Sequence, residues 1–119
     1  MTDNIISHFL PSGLLSNFTI TSLLEKHDEK TKSDYIEIHL EEKNDIPVGF
    51  DTSLYESKGF SSITLQDFPI RGKAVYLVIR RRLWRNKNNE KEVIKSTFPY
   101  VADGSRITKE LSDFLKGTS

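Results

Sequence analysis

The residues with the clearest chemical potential are cations gathered in one run, Arg80-Arg81-Arg82-Leu83-Trp84-Arg85, preceded by Arg71 and Lys73 and followed by Lys87. Guanidinium groups grip phosphate oxygens in bidentate fashion, and each phosphate neutralised releases condensed counterions. Trp84 or Tyr76 beside them can lie against a sugar or a splayed base, or support the guanidinium planes. The chemistry on offer is binding of a polyanion. A second set, His39 between Glu37 and Glu41, has the residue types of general acid–base catalysis. It comes without a Ser or Cys nucleophile signature and without a second histidine at metal-ligand spacing, and Gly72-Lys73 lacks the rest of a phosphate-binding glycine loop. His8, His27 and His39 are therefore read as ordinary exposed side chains, and Glu37, Glu41 and Glu42 as a solvated sheet face.

Charge distribution sharpens the first reading. The formal net charge is zero. Residues 1–60 nevertheless carry 5 bases against 11 acids, and residues 61–119 carry 12 bases against 6 acids, which is −6 against +6. Residues 71–95 alone hold 9 bases and 2 acids. Such asymmetry fits a basic side that faces a partner, nucleic acid first among the candidates; it also fits a dipolar fold whose halves pair with each other.

At 119 residues the chain is expected to form one domain. It has no cysteine, which removes disulfides and thiolate metal sites and fits a reducing cytoplasm. The first residues lack the pattern of a signal peptide, and the longest apolar runs are far too short to span a bilayer.

The elements that must position the cations follow from apolar periodicity. Residues 5–10 are apolar up to Pro11, and Ser12 or Gly13 can start a further turn through Leu14, Leu15 and Phe18; together they predict an N-terminal helical lid. Residues 17–24 read as a strand, 27–34 as an exposed polar turn, and 35–42 as a strand with Ile36, Ile38 and Leu40 on one face and Tyr35, Glu37, His39 and Glu41 on the other. That is an acidic hairpin. Residues 43–59 read as an irregular surface loop with Phe50, Leu54 and Tyr55 tucked in. Residues 60–68 and 74–84 read as strands joined by a tight turn at Pro69-Ile70-Arg71-Gly72, where proline presets φ and glycine accepts a positive φ. In the second strand Val75, Leu77, Ile79, Arg81 and Leu83 share one face, and Tyr76, Val78, Arg80, Arg82 and Trp84 share the other. Residues 86–91 form a polar tip and 92–98 a returning strand. Asp103 or Ser105 can cap a final helix over 106–116 with Ile107, Leu111, Phe114 and Leu115 on one face and Gly117 as C-cap.

Ser57-Lys58-Gly59-Phe60, the run from Ile63 through Leu77, and Arg80-Arg81-Arg82-Leu83-Trp84 together resemble the N-terminal region of bacterial insertion-sequence transposases of the ISAon type. Leu10-Pro11-Ser12-Gly13-Leu14-Leu15 and Gly104-Ser105-Arg106-Ile107-Thr108 extend the resemblance over most of the chain. A wider similarity is to DDE transposases, in which a zinc-ribbon segment with two Cys-x-x-Cys pairs precedes a helix-turn-helix and the catalytic domain. Here the second pair would fall near Asn86 and Asn89, both asparagine, and no cysteine lies near Pro47 to Gly49, where the first would be. The chain departs from the metal-binding pattern, and a ribbon of this kind must be held by an apolar core instead.

The resemblance implies an α+β, β-hairpin-rich domain, ribbon-like but metal-free, with a short N-terminal helical segment and a C-terminal amphipathic helix. Lid and acidic hairpin would occupy 1–45, the basic ribbon 60–98 and the helix 105–117. It implies a role in recognising the terminal inverted repeats of a mobile element as double-stranded DNA, without catalysis and without a cofactor or metal, since the DDE carboxylates belong to another domain. Arg71, Lys73, Arg80, Arg82, Trp84, Arg85 and Lys87 are the expected DNA contacts. Other expected partners are the catalytic transposase subunit and further copies of the chain, with no membrane. Two alternatives stay open: a protein-interaction module whose basic face docks an acidic partner, and a small hydrolase built on His39.

Overall fold

The computed structural model describes residues 7–98, 100 and 106–117. Expected helix caps at Asp103 and Ser105, and the first residues of the N-terminal apolar stretch, Ile5 and Ile6, lie outside them.

Five strands form one sheet: β1 (Phe18–Asp28), β2 (Ser33–Glu42), β3 (Tyr55–Ile70), β4 (Lys73–Asn86) and β5 (Asn89–Ile94). Their order is β1-β2-β4-β3, with β5 also on β4. A 3₁₀ turn at Ser7–Phe9 and a one-turn helix α1 (Leu14–Asn17) precede the sheet, and α2 (Lys109–Gly117) follows it. The fold is the expected mixed α+β arrangement, rich in hairpins. The two hairpins are not separate, because β2 runs parallel to β4 from Tyr35 opposite Ala74 to Glu41 opposite Arg80. The loop over 43–54 makes this possible by carrying the chain from the end of β2 to the start of β3.

The β1–β2 hairpin turns where no apolar residue asks to be buried. The Asp28 carboxylate accepts the Lys30 backbone N–H at 2.8 Å, and Lys32 takes a positive φ of 57° to complete the turn. The β3–β4 turn departs from expectation. Its two central residues are Arg71 and Gly72, with φ of 52° and 79°, between paired Ile70 and Lys73. Two consecutive positive φ values give a hairpin turn whose twist matches the strands. Pro69 is therefore not in the turn. It lies within β3 at a bulge between Asp67 and Ile70, where a missing N–H breaks no ladder bond. Strand β3 also starts earlier than expected, at Tyr55.

One sheet face is the core. Ile38, Leu40, Leu65, Val75, Leu77 and Ile79 are buried on it, covered by Leu10, Leu14, Phe18 and Tyr100. Phe98 meets Phe18 edge-on at 5.0 Å and stacks on Tyr100 at 5.4 Å. The Tyr100 hydroxyl accepts from Asn17 Nδ2 at 2.8 Å and donates to the Gly13 carbonyl at 3.1 Å, tying the chain after β5 to the N-terminal segment. Of the loop residues expected inside, Tyr55 is buried, but Phe50 and Leu54 are exposed.

The C-terminal helix begins later than the apolar pattern indicates. Ile107 pairs with Gln66 as a single parallel bridge, with Gln66 N–H to the Arg106 carbonyl at 2.8 Å and Thr108 N–H to the Gln66 carbonyl at 2.9 Å. This covers part of the free edge of β3, so Ile107 and Thr108 are extended. Thr108, fully buried, is the cap: its hydroxyl accepts the Leu111 N–H at 3.3 Å and donates to the Asp67 carboxyl at 2.8 Å. Leu111 is buried, but Phe114 and Leu115 at 55% and 61% exposure leave much of the apolar face open.

Two outcomes are expected. Thr108→Ala removes the cap and its anchor, costing about 1–2 kcal/mol and speeding amide exchange in α2 well before that in β2 and β4. Burial pushes the Asp67 carboxyl above its ordinary value, so the fold holds this proton more tightly than the unfolded chain. That contribution is fully present at low pH and is lost as pH rises through the raised value. Asp67→Asn keeps an acceptor for Thr108 and removes the buried charge. Urea midpoints should show no loss of stability at pH 7 and a flatter dependence between pH 3 and 7 than in the native chain.

Candidate nucleic-acid interface

Strand β4 carries most of the cations, and its alternation sends them to two faces. Arg80 and Arg82 stand on the face opposite the core, as expected. Their positions are set by a ring that sequence reading left unassigned. Phe60 on β3 is directly opposite Arg82. The Arg80 guanidinium lies 4.1 Å and the Arg82 guanidinium 4.7 Å from its centroid. Cation–π contact of this kind holds both planes against one ring. The two-residue turn at Arg71-Gly72 and the bulge at Pro69 set which residues face one another. Counted symmetrically about the expected turn Pro69-Ile70-Arg71-Gly72, Phe60 falls opposite Arg81 and misses Arg82.

Lys73, Arg80, Arg82 and Arg85 of this strand each have an acid from another strand. Glu41 of β2 lies 3.8 Å from Arg80 Nη1 and 3.8 Å from Arg82 Nη2. Arg85 reaches Glu56 of β3 at 2.9 Å, and Lys73 reaches Glu25 of β1 at 2.7 Å, a hydrogen bond that holds the Lys73 ammonium above its ordinary value. These acids come from the first half of the chain, so the two oppositely charged halves do pair with each other. Glu92 accepts from the Tyr55 hydroxyl and from Asn86 Nδ2 at 3.0 Å.

Arg80 and Arg82 differ in freedom. The Arg80 side chain is 49% exposed, and that of Arg82 is 16% exposed. Arg82 donates from Nη1 to Ser57 Oγ at 2.7 Å and from Nε to the Glu42 carbonyl at 3.3 Å. Its backbone N–H goes to the Glu42 carboxylate at 2.9 Å. Arg81 points to the core face, as expected, where Nη2 donates to the Ser96 carbonyl at 2.6 Å. Its Nε is buried without a partner.

Trp84 corrects one expectation. It keeps the alternation with Arg80 and Arg82 but is fully buried. The loop over 43–54 folds across it, and Nε1 donates to Asn44 Oδ1 at 2.8 Å. An indole so covered packs the loop and offers no face to a base. Lys87 is exposed in the β4–β5 turn, closed by Asn86 opposite Asn89. Their side chains accept the Asn88 and Lys91 N–H groups at 2.8 and 3.2 Å. These asparagines close a hairpin.

Arg71, exposed, and Lys73 sit at the other end of β4. Sixteen residues at ~3.3 Å each put Arg71 roughly 50 Å from Lys87, more than one turn of duplex. The cations expected to act together therefore form two groups: Arg71 with Lys73, and Arg80 through Lys87. Exposed Lys58, Lys91 and Lys95 join the second group at the β5 end of the sheet.

The histidine set is a hydrogen-bonded network. Glu37 accepts from Lys26 at 3.0 Å and lies 2.9 Å from His39 Nε2, and these two contacts hold its carboxyl below the ordinary value. His27 Nδ1 lies 2.8 Å from Asp34. An open hollow of about 520 Å³ is lined by Tyr35, Glu37, Thr64 and Tyr76 on the same sheet face. Among the described residues no group of His, Asp and Glu side chains has metal-binding geometry, and no helix is long and apolar enough to cross a membrane.

Two substitutions separate binding from folding at this site. Arg80→Ala should leave stability within about 0.5 kcal/mol of native, since its contacts are exposed. Arg82→Ala should cost about 1–2 kcal/mol through lost hydrogen bonds and packing. Urea denaturation distinguishes them, and equal losses would contradict the geometry.

No protein-family model, curated protein or solved structure matches the chain.

Proposed function

We propose that this chain is the DNA-binding N-terminal region of an insertion-sequence transposase, acting in the cytoplasm on the terminal inverted repeats of its element. It works without catalysis of its own, beside a catalytic subunit on a separate or downstream product. The observation that carries this reading is the pair Arg80 and Arg82, mounted side by side on Phe60 in the middle of a rigid sheet. Cations fixed on a strand lose little side-chain freedom on meeting a phosphate backbone. Lys58, Lys87, Lys91 and Lys95 widen the basic surface at the adjoining sheet end. The resemblance of Ser57 through Phe60, Ile63 through Leu77 and Arg80 through Trp84 to such transposases supports the same reading.

A protein-interaction role is the second reading. It is favoured by exposed Phe68, Phe114 and Leu115, with the Phe68 and Phe114 rings edge-on at 5.5 Å. The partner in that case is the catalytic subunit, contacted through α2 rather than through β4.

Gel-shift titration on the element's terminal repeat tests the first reading. Binding should weaken steeply from 50 to 200 mM salt. Arg80→Ala should weaken it and shallow the log–log salt slope by about 0.9. If Arg71 shares the contact, protection should span about 15 base pairs, from a ~50 Å strand against a 3.4 Å rise. Absence of binding at 50 mM salt sinks the DNA reading, and retention of the catalytic subunit after nuclease treatment would then support the second.

A further inference from the structure

Glu41 stands where an anion would bind. One carboxylate oxygen, Oε2, lies 3.8 Å from Arg80 Nη1, and the other, Oε1, lies 3.8 Å from Arg82 Nη2. A single carboxylate thus bridges two guanidiniums that Phe60 already holds side by side. The contacts are long: both are within ion-pair reach and beyond the usual hydrogen-bond length. Glu41 itself is only partly covered, at 31% side-chain exposure. The arrangement is that of a two-pronged oxyanion site occupied loosely from within.

We propose that Arg80 and Arg82 form a phosphate site, with Glu41 as its internal competitor. The inference rests on the DNA reading and deepens it. A phosphodiester presents two non-bridging oxygens, the same number as a carboxylate, so it can take over both contacts without moving either guanidinium. Arg82 is fixed independently by Ser57 and Glu42, so the site keeps its shape when Glu41 leaves. Exposed ion pairs are weak, and the displaced contact accounts for no more than about a five-fold factor in affinity. Glu41 would then keep the basic face from holding polyanions indiscriminately while yielding to a phosphate that other contacts deliver. This gives the acid of β2 a binding role that its place on a sheet face does not announce.

The test uses the full chain, native and as Glu41→Gln, with inorganic tripolyphosphate and a mixed-sequence duplex as separate probes. Tripolyphosphate binding is followed through the Arg80 and Arg82 Nε–H resonances, and duplex binding by anisotropy at 50 mM salt. Glu41→Gln should bind both probes about five-fold more tightly, and adding Arg80→Ala should abolish the gain. A urea melt confirms that Glu41→Gln stays folded, with Glu41→Ala as a second variant expected to show the same gain. Equal tripolyphosphate affinity in native and Glu41→Gln protein, or Arg80 and Arg82 resonances that do not move, overturns the proposal even if duplex binds. A five-fold gain for tripolyphosphate with no duplex binding by either protein keeps the anion site and removes the DNA reading.

Discussion

The fold depends on β4 being paired along both edges. Strand β3 covers one edge over most of its length. The other edge is shared: β2 pairs from Ala74 to Arg80, and β5 pairs from Trp84 to Asn86. Between them the Arg82 N–H would have no strand partner, and the Glu42 carboxylate takes it. A buried backbone donor left unpaired costs about 1–3 kcal/mol, so this one acid lets β2 end and β5 begin without breaking the sheet. Glu42 is itself 2% exposed, and Arg82 returns a second bond from Nε to its carbonyl.

Central placement of β4 explains why its two faces behave so differently. Val75, Leu77 and Ile79 are packed under the N-terminal segment and Phe98, where burial of each side chain contributes about 1.5–3 kcal/mol. The opposite face carries Arg80 and Arg82 over Phe60, with acids brought alongside by β2. Exposed pairs of this kind are each worth about 0–1 kcal/mol. They orient the cations far more than they stabilise the domain. The zero net charge is thus a spatial arrangement, with acidic β2 laid against basic β4 and β1 beyond it, and the basic face available to a partner is narrower than the count of arginines implies.

Much of the architecture was legible. Alternation of Ile36, Ile38 and Leu40, and of Val75, Leu77 and Ile79, marked β2 and β4 and their buried faces, because a period of two has no other reading in such runs. Turn chemistry was legible in kind but not in place. Proline and glycine both lie near the β3–β4 turn, and only Arg71 and Gly72 have the positive φ that matches strand twist. Capping by Thr108 was hidden because its partners, Asp67 and the edge of β3, are distant in sequence. Burial of Trp84 was hidden for the same reason: alternation places it outward, and a loop from residues 43–54 then covers it.

By itself the sequence determined what local spacing controls: which strands form, which face of each is apolar, and that Arg80 and Arg82 share a face without Arg81. Only tertiary structure decided what long-range pairing controls. Parallel pairing of β2 with β4 brought Glu41 to the two arginines. The bulge at Pro69 set Phe60 beneath them, and the 43–54 loop removed Trp84 from the surface. Local periodicity follows from side-chain geometry along one strand, whereas those contacts join residues 20 to 41 positions apart, and no local pattern encodes which distant strand will be the neighbour.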